Sequence, residues 1–130
     1  MKALALDYGR ARTGVAVSDP TGTVVRPLGV VERAGSERGL DRIAEIVGEV
    51  RPDVVVVGLP LTLRGEEGAQ AAETRRFVDV LTERLEVPVD LLDERFTTRL
   101  AEQEAGAAPP DARAAAHLLA TYLARSRSEP

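Results

Sequence analysis

Residues 53–58 read DVVVVG, four valines in a row closed by a glycine. A strand with one face in water alternates apolar and polar side chains. This run is apolar on both faces, so it predicts a strand buried from both sides. Such a strand needs cover above and below, and the neighbouring segments carry helical patterns. Residues 36–50 place Leu40, Ile43, Ala44, Val47 and Val50 at helical spacing, an amphipathic helix with Ser36 as N-cap. Residues 69–85 carry Ala69, Ala72, Phe77, Val80, Leu81 and Leu85 at that spacing, after a Gly- and charge-rich loop over 59–68. Residues 87–92 (VPVDLL) form a further strand, ending at Asp93 and Glu94.

Ahead of this unit lie three β-rich stretches. Residues 2–7 (KALALD) end in an acid, residues 8–12 (YGRAR) turn at Gly9, and residues 13–19 and 22–31 resume the apolar pattern. They predict an antiparallel meander. At the other end, residues 98–105 read as a helix and 106–110 (GAAPP) as a break. Asp111 then stands just before an Ala- and Leu-rich helix to about residue 124, with a frayed tail beyond. The predicted order is βββ-α-β-α-β-α-α. It implies an α/β fold with a mixed sheet, helices on both faces and right-handed parallel crossovers. With neither repeats nor linkers in 130 residues, one domain over 1–130 is expected.

Composition bounds the function. Hydrophobic residues are 44% but aromatics only 3%, so the core must be aliphatic. The absence of cysteine excludes disulfides and Cys-based zinc sites. No apolar run approaches the roughly 18 residues that span a membrane, and no basic-then-apolar leader opens the chain, so a soluble cytoplasmic protein is expected. A net charge of −4 weighs mildly against nucleic-acid binding, which needs a basic footprint. Distribution matters more than the sum, however, and every basic residue except Lys2 is an arginine, the residue best suited to bidentate phosphate contact.

The acids fall at informative places. Asp7 ends the first strand, Asp93 and Glu94 end the last, and Asp111 begins a helix. Strand ends in such a sheet share one edge, where clefts form. Carboxylates gathered there repel one another and raise their own pKa values unless a cation neutralises them. Oxygen-only ligands select hard cations such as Mg²⁺ or Mn²⁺, and two ions about 4 Å apart can clamp the attacking water and leaving oxygen of a phosphodiester. Each acid also has a plain structural reading. Asp7 can be a turn former, Asp93 and Glu94 a solvated strand end, and Asp111 an N-cap. Spacing alone does not choose.

Four stretches resemble the YqgF family, also called RuvX, whose members are described as pre-16S rRNA nucleases and as Holliday-junction-resolvase-like. They are LDYGRARTGVAVSD (6–19), VVVGLPLTLRGEEGAQAAETRRFVDVL (55–81), DERFTTRLAE (93–102) and DARAAAHLL (111–119), in the family's order and spacing. The resemblance implies an RNase H-like fold and an acidic, metal-binding active site. It makes Asp7, Glu94 and Asp111 the catalytic metal ligands, with Asp93 assisting. The G-L-P of Gly58, Leu59 and Pro60, with Gly65, Glu67 and Gly68, becomes a loop beside the cleft. Arg75 and Arg95 are assigned to phosphate contact or to holding the carboxylates. One departure stands out: residues 105–110 (AGAAPP) lack the Lys or Arg often found there, leaving that phosphate contact to Arg99 or Arg113.

Other residues read more simply. His117, the one histidine, is expected to be structural or exposed, Thr97 and Thr98 to start a helix, Tyr8 to pack, and Glu66 and Glu67 to be solvated. The expected function is thus a metal-dependent nuclease acting on nucleic acid. RNA is preferred to DNA on the resemblance alone, with processing of the pre-16S rRNA 5′ end during ribosome biogenesis as the role. Branched-DNA resolution and a non-catalytic RNA-binding assembly factor are the alternatives. A monomer or homodimer without membrane contact is expected. The D-x-G-x-x-x-T-G-V-A-V run also resembles actin-like phosphotransferases, but those bind nucleotide between two such domains, and the chain has no Walker-type phosphate loop.

Overall fold

The structure, a computed structural model, describes residues 1–94 and 109–128. Strands β1 (Ala3–Asp7), β2 (Arg12–Ser18) and β3 (Val25–Glu32) form the expected antiparallel meander. The four-valine segment is β4 (Val54–Pro60), parallel to β1 on one side and to β5 (Val89–Glu94) on the other. The sheet order is β3-β2-β1-β4-β5, which leaves β2, β1 and β4 flanked on both sides.

Strand alternation divides the core in two. Leu4, Leu6, Val15, Val55 and Val57 face helices α1 (Glu37–Val50) and α2 (Ala69–Arg84), meeting Ile43, Val47, Phe77 and Leu81. Ala3, Ala5, Ala16, Val54, Val56 and Leu92 face helix α3 (Pro110–Ser128), meeting Ala115, Leu118, Leu119 and Leu123. Over β1 and β2 the α3 face is built from small residues, and this sets how closely the helix approaches there. A Cβ on Gly14 would lie 1.8 Å from the Asp111 carbonyl oxygen, so the first turn of α3 rests on the β2 main chain.

Local chemistry explains the element ends. The Ser36 hydroxyl accepts a hydrogen bond from the Gly39 N–H at 3.1 Å, the N-cap expected for α1. In the β2–β3 turn the Asp19 carboxylate accepts from the Thr23 and Val24 N–H groups at 2.8 Å each, and β3 therefore starts at Val25 rather than at residue 22.

Several expected boundaries move. Gly58, Leu59 and Pro60 are not loop: they are the last rung of β4, paired with Leu92, Asp93 and Glu94 of β5. Proline is tolerated there because it stands at the strand's end. Asp111 lies inside the first turn of α3 rather than before it, with Pro110 opening the helix. No Gly or Pro interrupts residues 125–128, and α3 continues through them where a frayed tail was expected. The predicted helix over 98–105, Arg95, Arg99, Thr97 and Thr98 lie outside the described residues.

Candidate active site

The C-terminal ends of parallel strands β1, β4 and β5 lie along one edge of the sheet, where β2 also begins. Alternation then sorts the acids. Asp7 follows Ala3 and Ala5 onto the α3 face, and Glu94 follows Leu92 onto the same face. Asp93 takes the opposite parity and is exposed, so it does not join them. To reach Asp7, Glu94 must cross β4, and it crosses at Gly58. A Cβ there would lie 2.3 Å from Glu94 Oε2, so the glycine clears the path.

Asp7 and Glu94 are close enough to share a hydrogen bond, the Glu94 carboxyl donating to the Asp7 carboxylate. Burial, then the neighbouring Asp7 charge and this bond, pushes the Glu94 carboxyl up to about 8. Burial, then the Asp111 charge, pushes Asp7 up to about 6, and the bond from Glu94 opposes that rise. Glu94 is only 8% exposed, and its Oε1 has no hydrogen-bond partner among the described residues. An unsatisfied buried oxygen is costly, and such atoms call for a missing partner.

Asp111 approaches this pair from the first turn of α3, and its carboxylate Oδ2 is met by Arg12 Nε at 3.3 Å. Among the described residues, no three Asp, Glu or His side chains are gathered tightly enough to hold a metal ion as they stand. The donors nonetheless suit a hard cation in kind: all are oxygens, half-buried Asp7 and buried Glu94 lie together, and Glu94 Oε1 is unsatisfied among the described residues. The third carboxylate is engaged by Arg12 instead.

The remaining candidates are placed as follows. Arg75, half-exposed on α2, forms a bidentate pair with Glu67 at 2.6 and 2.8 Å, so it holds the carboxylate of a loop rather than of the acidic group. Arg95 lies outside the described residues. Tyr8 packs, its ring stacked on Phe77 at a centroid distance of 4.3 Å. Glu66 and Glu67 are exposed, and His117 is partly buried on α3.

Arg12 was not singled out from sequence. Its signal was parity: starting β2 at residue 12 instead of 13 puts Arg12 on the face of Gly14 and Ala16, against the helix that carries Asp111. Gly58 as a passage for Glu94 was equally hidden, because the clearance involves three strands at once.

Comparison with known proteins gives a consistent picture. The RuvX family model, described as Holliday junction resolvase, matches residues 1–125. A Chloroflexus aurantiacus protein named "Putative pre-16S rRNA nuclease" is 42% identical, covering 98% of this chain and 89% of its own. One of the same name from Syntrophomonas wolfei is 36% identical, covering 95% and 94%. Among solved structures, Thermus thermophilus RuvC in complex with Holliday junction substrate superposes with a TM-score of 0.68 at 21% identity, over 98% of this chain and 97% of that one. The fowlpox virus Holliday junction resolvase gives 0.59 at 13% identity, over 96% and 99%. These structural likenesses show the fold, the RNase H-like arrangement expected from sequence.

Proposed function

The chain belongs to the RuvX family, and from that premise we propose that it is a divalent-metal-dependent nuclease that hydrolyses phosphodiester bonds in the 5′-end processing of pre-16S rRNA. The observation that carries the reading is the meeting of Asp7 and Glu94 across Gly58, with Asp111 beside them. Three carboxylates distant in sequence, two on strand ends and one on the helix that covers them, are brought to one edge at a cost that a bound cation would remove. The names of the Chloroflexus and Syntrophomonas relatives support the substrate.

Asp7, Glu94 and Asp111 are the residues that would hold Mg²⁺ or Mn²⁺. Such ions, when bound, supply the Lewis acidity that activates the attacking water and stabilises the leaving oxygen. The chain's own part is preparation. Burial, and after it the Asp7 charge, favours the protonated form of Glu94 in the free protein, so Glu94 must release that proton to become a ligand. The α3 helix excludes water from one side of the pair. Arg75 and Arg95 are assigned to phosphate contact, and for Arg75 that requires exchanging Glu67 for the substrate.

A second reading, resolution of branched DNA, is favoured by the family description and the RuvC-like fold. One assay separates them. Wild type and Asp7→Asn are incubated with a pre-rRNA 5′ leader, single-stranded RNA and a four-way DNA junction, each with Mn²⁺, Mg²⁺ or EDTA. Cleavage of the RNA leader that is lost with EDTA and in the variant is the expected result. Cleavage of the junction alone moves the reading to a resolvase. Binding without turnover on every substrate leaves a non-catalytic RNA-binding assembly factor.

A further inference from the structure

Arg12 contacts the carboxylate group but belongs to none of the ligand positions. Three observations bear on its part. First, its proximity to Asp111 is fixed by main chain. Arg12 and Gly14 share a face of β2, and Gly14 is pressed against the Asp111 carbonyl, so the two side chains start from adjoining main chain and meet at 3.3 Å. Secondly, exposure is unequal: the Arg12 side chain is 65% exposed and that of Asp111 32%. The guanidinium therefore stands on the solvent side, where a phosphate would arrive, and the carboxylate on the inner side, facing Asp7. Thirdly, the nearby exposed arginines behave differently. Arg10 is paired with Glu73 and Arg75 with Glu67, both outside the acidic group.

We propose that Arg12 is a built-in counter-ion of the candidate cation site: it holds Asp111 in the free protein, yields that carboxylate when a divalent ion binds, and is thereby released to grip a substrate phosphate. The proposal rests on the metal-dependent reading above and assigns Arg12 a positioning role before loading and a binding role after it. The logic is one of competition. A guanidinium stays charged at every accessible pH, so it competes with the metal as a cation. A phosphate is the natural new partner for the freed fork, being matched to it bidentately. Loading of the ion and gripping of the substrate are thus coupled through a single carboxylate.

The test uses the full chain and two opposite signs. Mn²⁺ is titrated calorimetrically into wild type, Arg12→Gln and Arg12→Lys, with circular dichroism confirming the fold. Arg12→Gln is expected to bind Mn²⁺ more tightly, by about five-fold for the loss of a part-exposed ion pair, and Arg12→Lys to stay near wild type. RNA binding is then measured in Ca²⁺ over a salt series. Arg12→Gln is expected to bind RNA more weakly, its log–log salt slope falling by about 0.7, the value of one phosphate contact on a single strand. Unchanged or weaker Mn²⁺ affinity in Arg12→Gln overturns the counter-ion role, and an unchanged salt slope overturns the phosphate role. Absence of Mn²⁺ binding by wild type itself overturns the metal-dependent reading, a separate failure from that of Arg12.

Discussion

The two faces of the sheet meet the same edge and are built on opposite terms. Toward α1 and α2 the strands send Leu4, Leu6, Val15, Val55 and Val57, and the edge is closed by the stacked rings of Tyr8 and Phe77. Toward α3 they send Ala3, Ala5, Gly14 and Ala16 from β1 and β2, with Val54, Val56, Gly58 and Leu92 beyond, and the edge is closed by Asp7, Glu94 and Asp111. Large side chains keep the helix pair at a distance and fill the space with apolar contact. The small ones of β1 and β2 let α3 descend until its first turn touches β2, which brings Asp111 to the edge that holds Asp7 and Glu94. One face gains stability from its edge residues, whereas the other spends stability there to hold groups ready for a cation. The comparison can be broken by changing each face in turn.

The largest effect is expected from Asp7→Asn. The side chain keeps its shape and loses its charge, so the nuclease activity under the proposed reading should fall by about 10³-fold or more, some 4 kcal/mol of barrier. The melting temperature should not fall, because a buried carboxylate has been removed from a repelling group. Leu81→Ala is the mirror experiment on the other face. Leu81 is fully buried, and its truncation should cost about 2–5 kcal/mol in urea unfolding. Its kcat/KM should stay at the wild-type value at temperatures where the variant is folded. Activity lost in Leu81→Ala, or stability lost in Asp7→Asn, would mean that the two faces do not divide the work in this way.

A finer contrast lies within the α3 face. The added Cβ of Gly14→Ala would meet backbone, the Asp111 carbonyl oxygen at 1.8 Å, and neither strand nor helix can yield cheaply. A destabilisation of about 3 kcal/mol is expected, at the upper end for overpacking. The added Cβ of Gly58→Ala would meet the tip of the Glu94 side chain, which can swing away, and Leu118 Cδ1 at 3.3 Å, which must give by a few tenths of an ångström. That variant should lose under about 1 kcal/mol of stability, an ordinary figure for a tolerated substitution, and should still weaken Mn²⁺ binding because Glu94 no longer reaches Asp7. Equal losses of stability in the two glycine variants would refute the distinction.

Period and burial made most of the architecture readable in the chain itself. Four valines demanded a strand covered on both faces, and the spacing of Leu40, Ile43 and Val47 demanded a helix. The meeting of Asp7 and Glu94 at one edge followed from their positions at strand ends. What escaped was parity at those ends. The run LLDE does not say whether Asp93 or Glu94 turns toward α3, since both of its leucines are apolar; the β4–β5 register decides it. Arg12 escaped for the same reason, as one residue of error in the start of β2 separates a turn arginine from one facing Asp111. The extension of β4 through Pro60 was masked by a glycine and a proline that usually punctuate loops. Here they sit at a strand end instead, the glycine so that Glu94 can pass.

The gentlest probe of the two faces is pH, and its sign is opposite to that of most carboxylates. Asp7 and Glu94 are raised to about 6 and about 8 in the folded chain, above their ordinary values of 3.8 and 4.5. Folded protein therefore holds more protons than unfolded protein between pH about 4 and about 8, and stability must fall as pH rises through that window. The slope should be steepest at about pH 5 to 6, where both groups contribute, and at about pH 7 should approach that of one full proton, about 1.4 kcal/mol per pH unit. Glu94→Gln should flatten the upper part of the curve, since the amide can still donate to Asp7 without ionising. Leu81→Ala should lower the whole curve without changing its shape, because it removes apolar contact and no charge. Saturating Mn²⁺ should turn the slope around, as the ionised carboxylates become the bound form. Urea unfolding at pH 5, 6, 7 and 8 measures all four curves. A wild-type stability that is flat or rising across that range would show that the acids on the α3 face are not held under strain, and the contrast between the faces would then be one of packing alone.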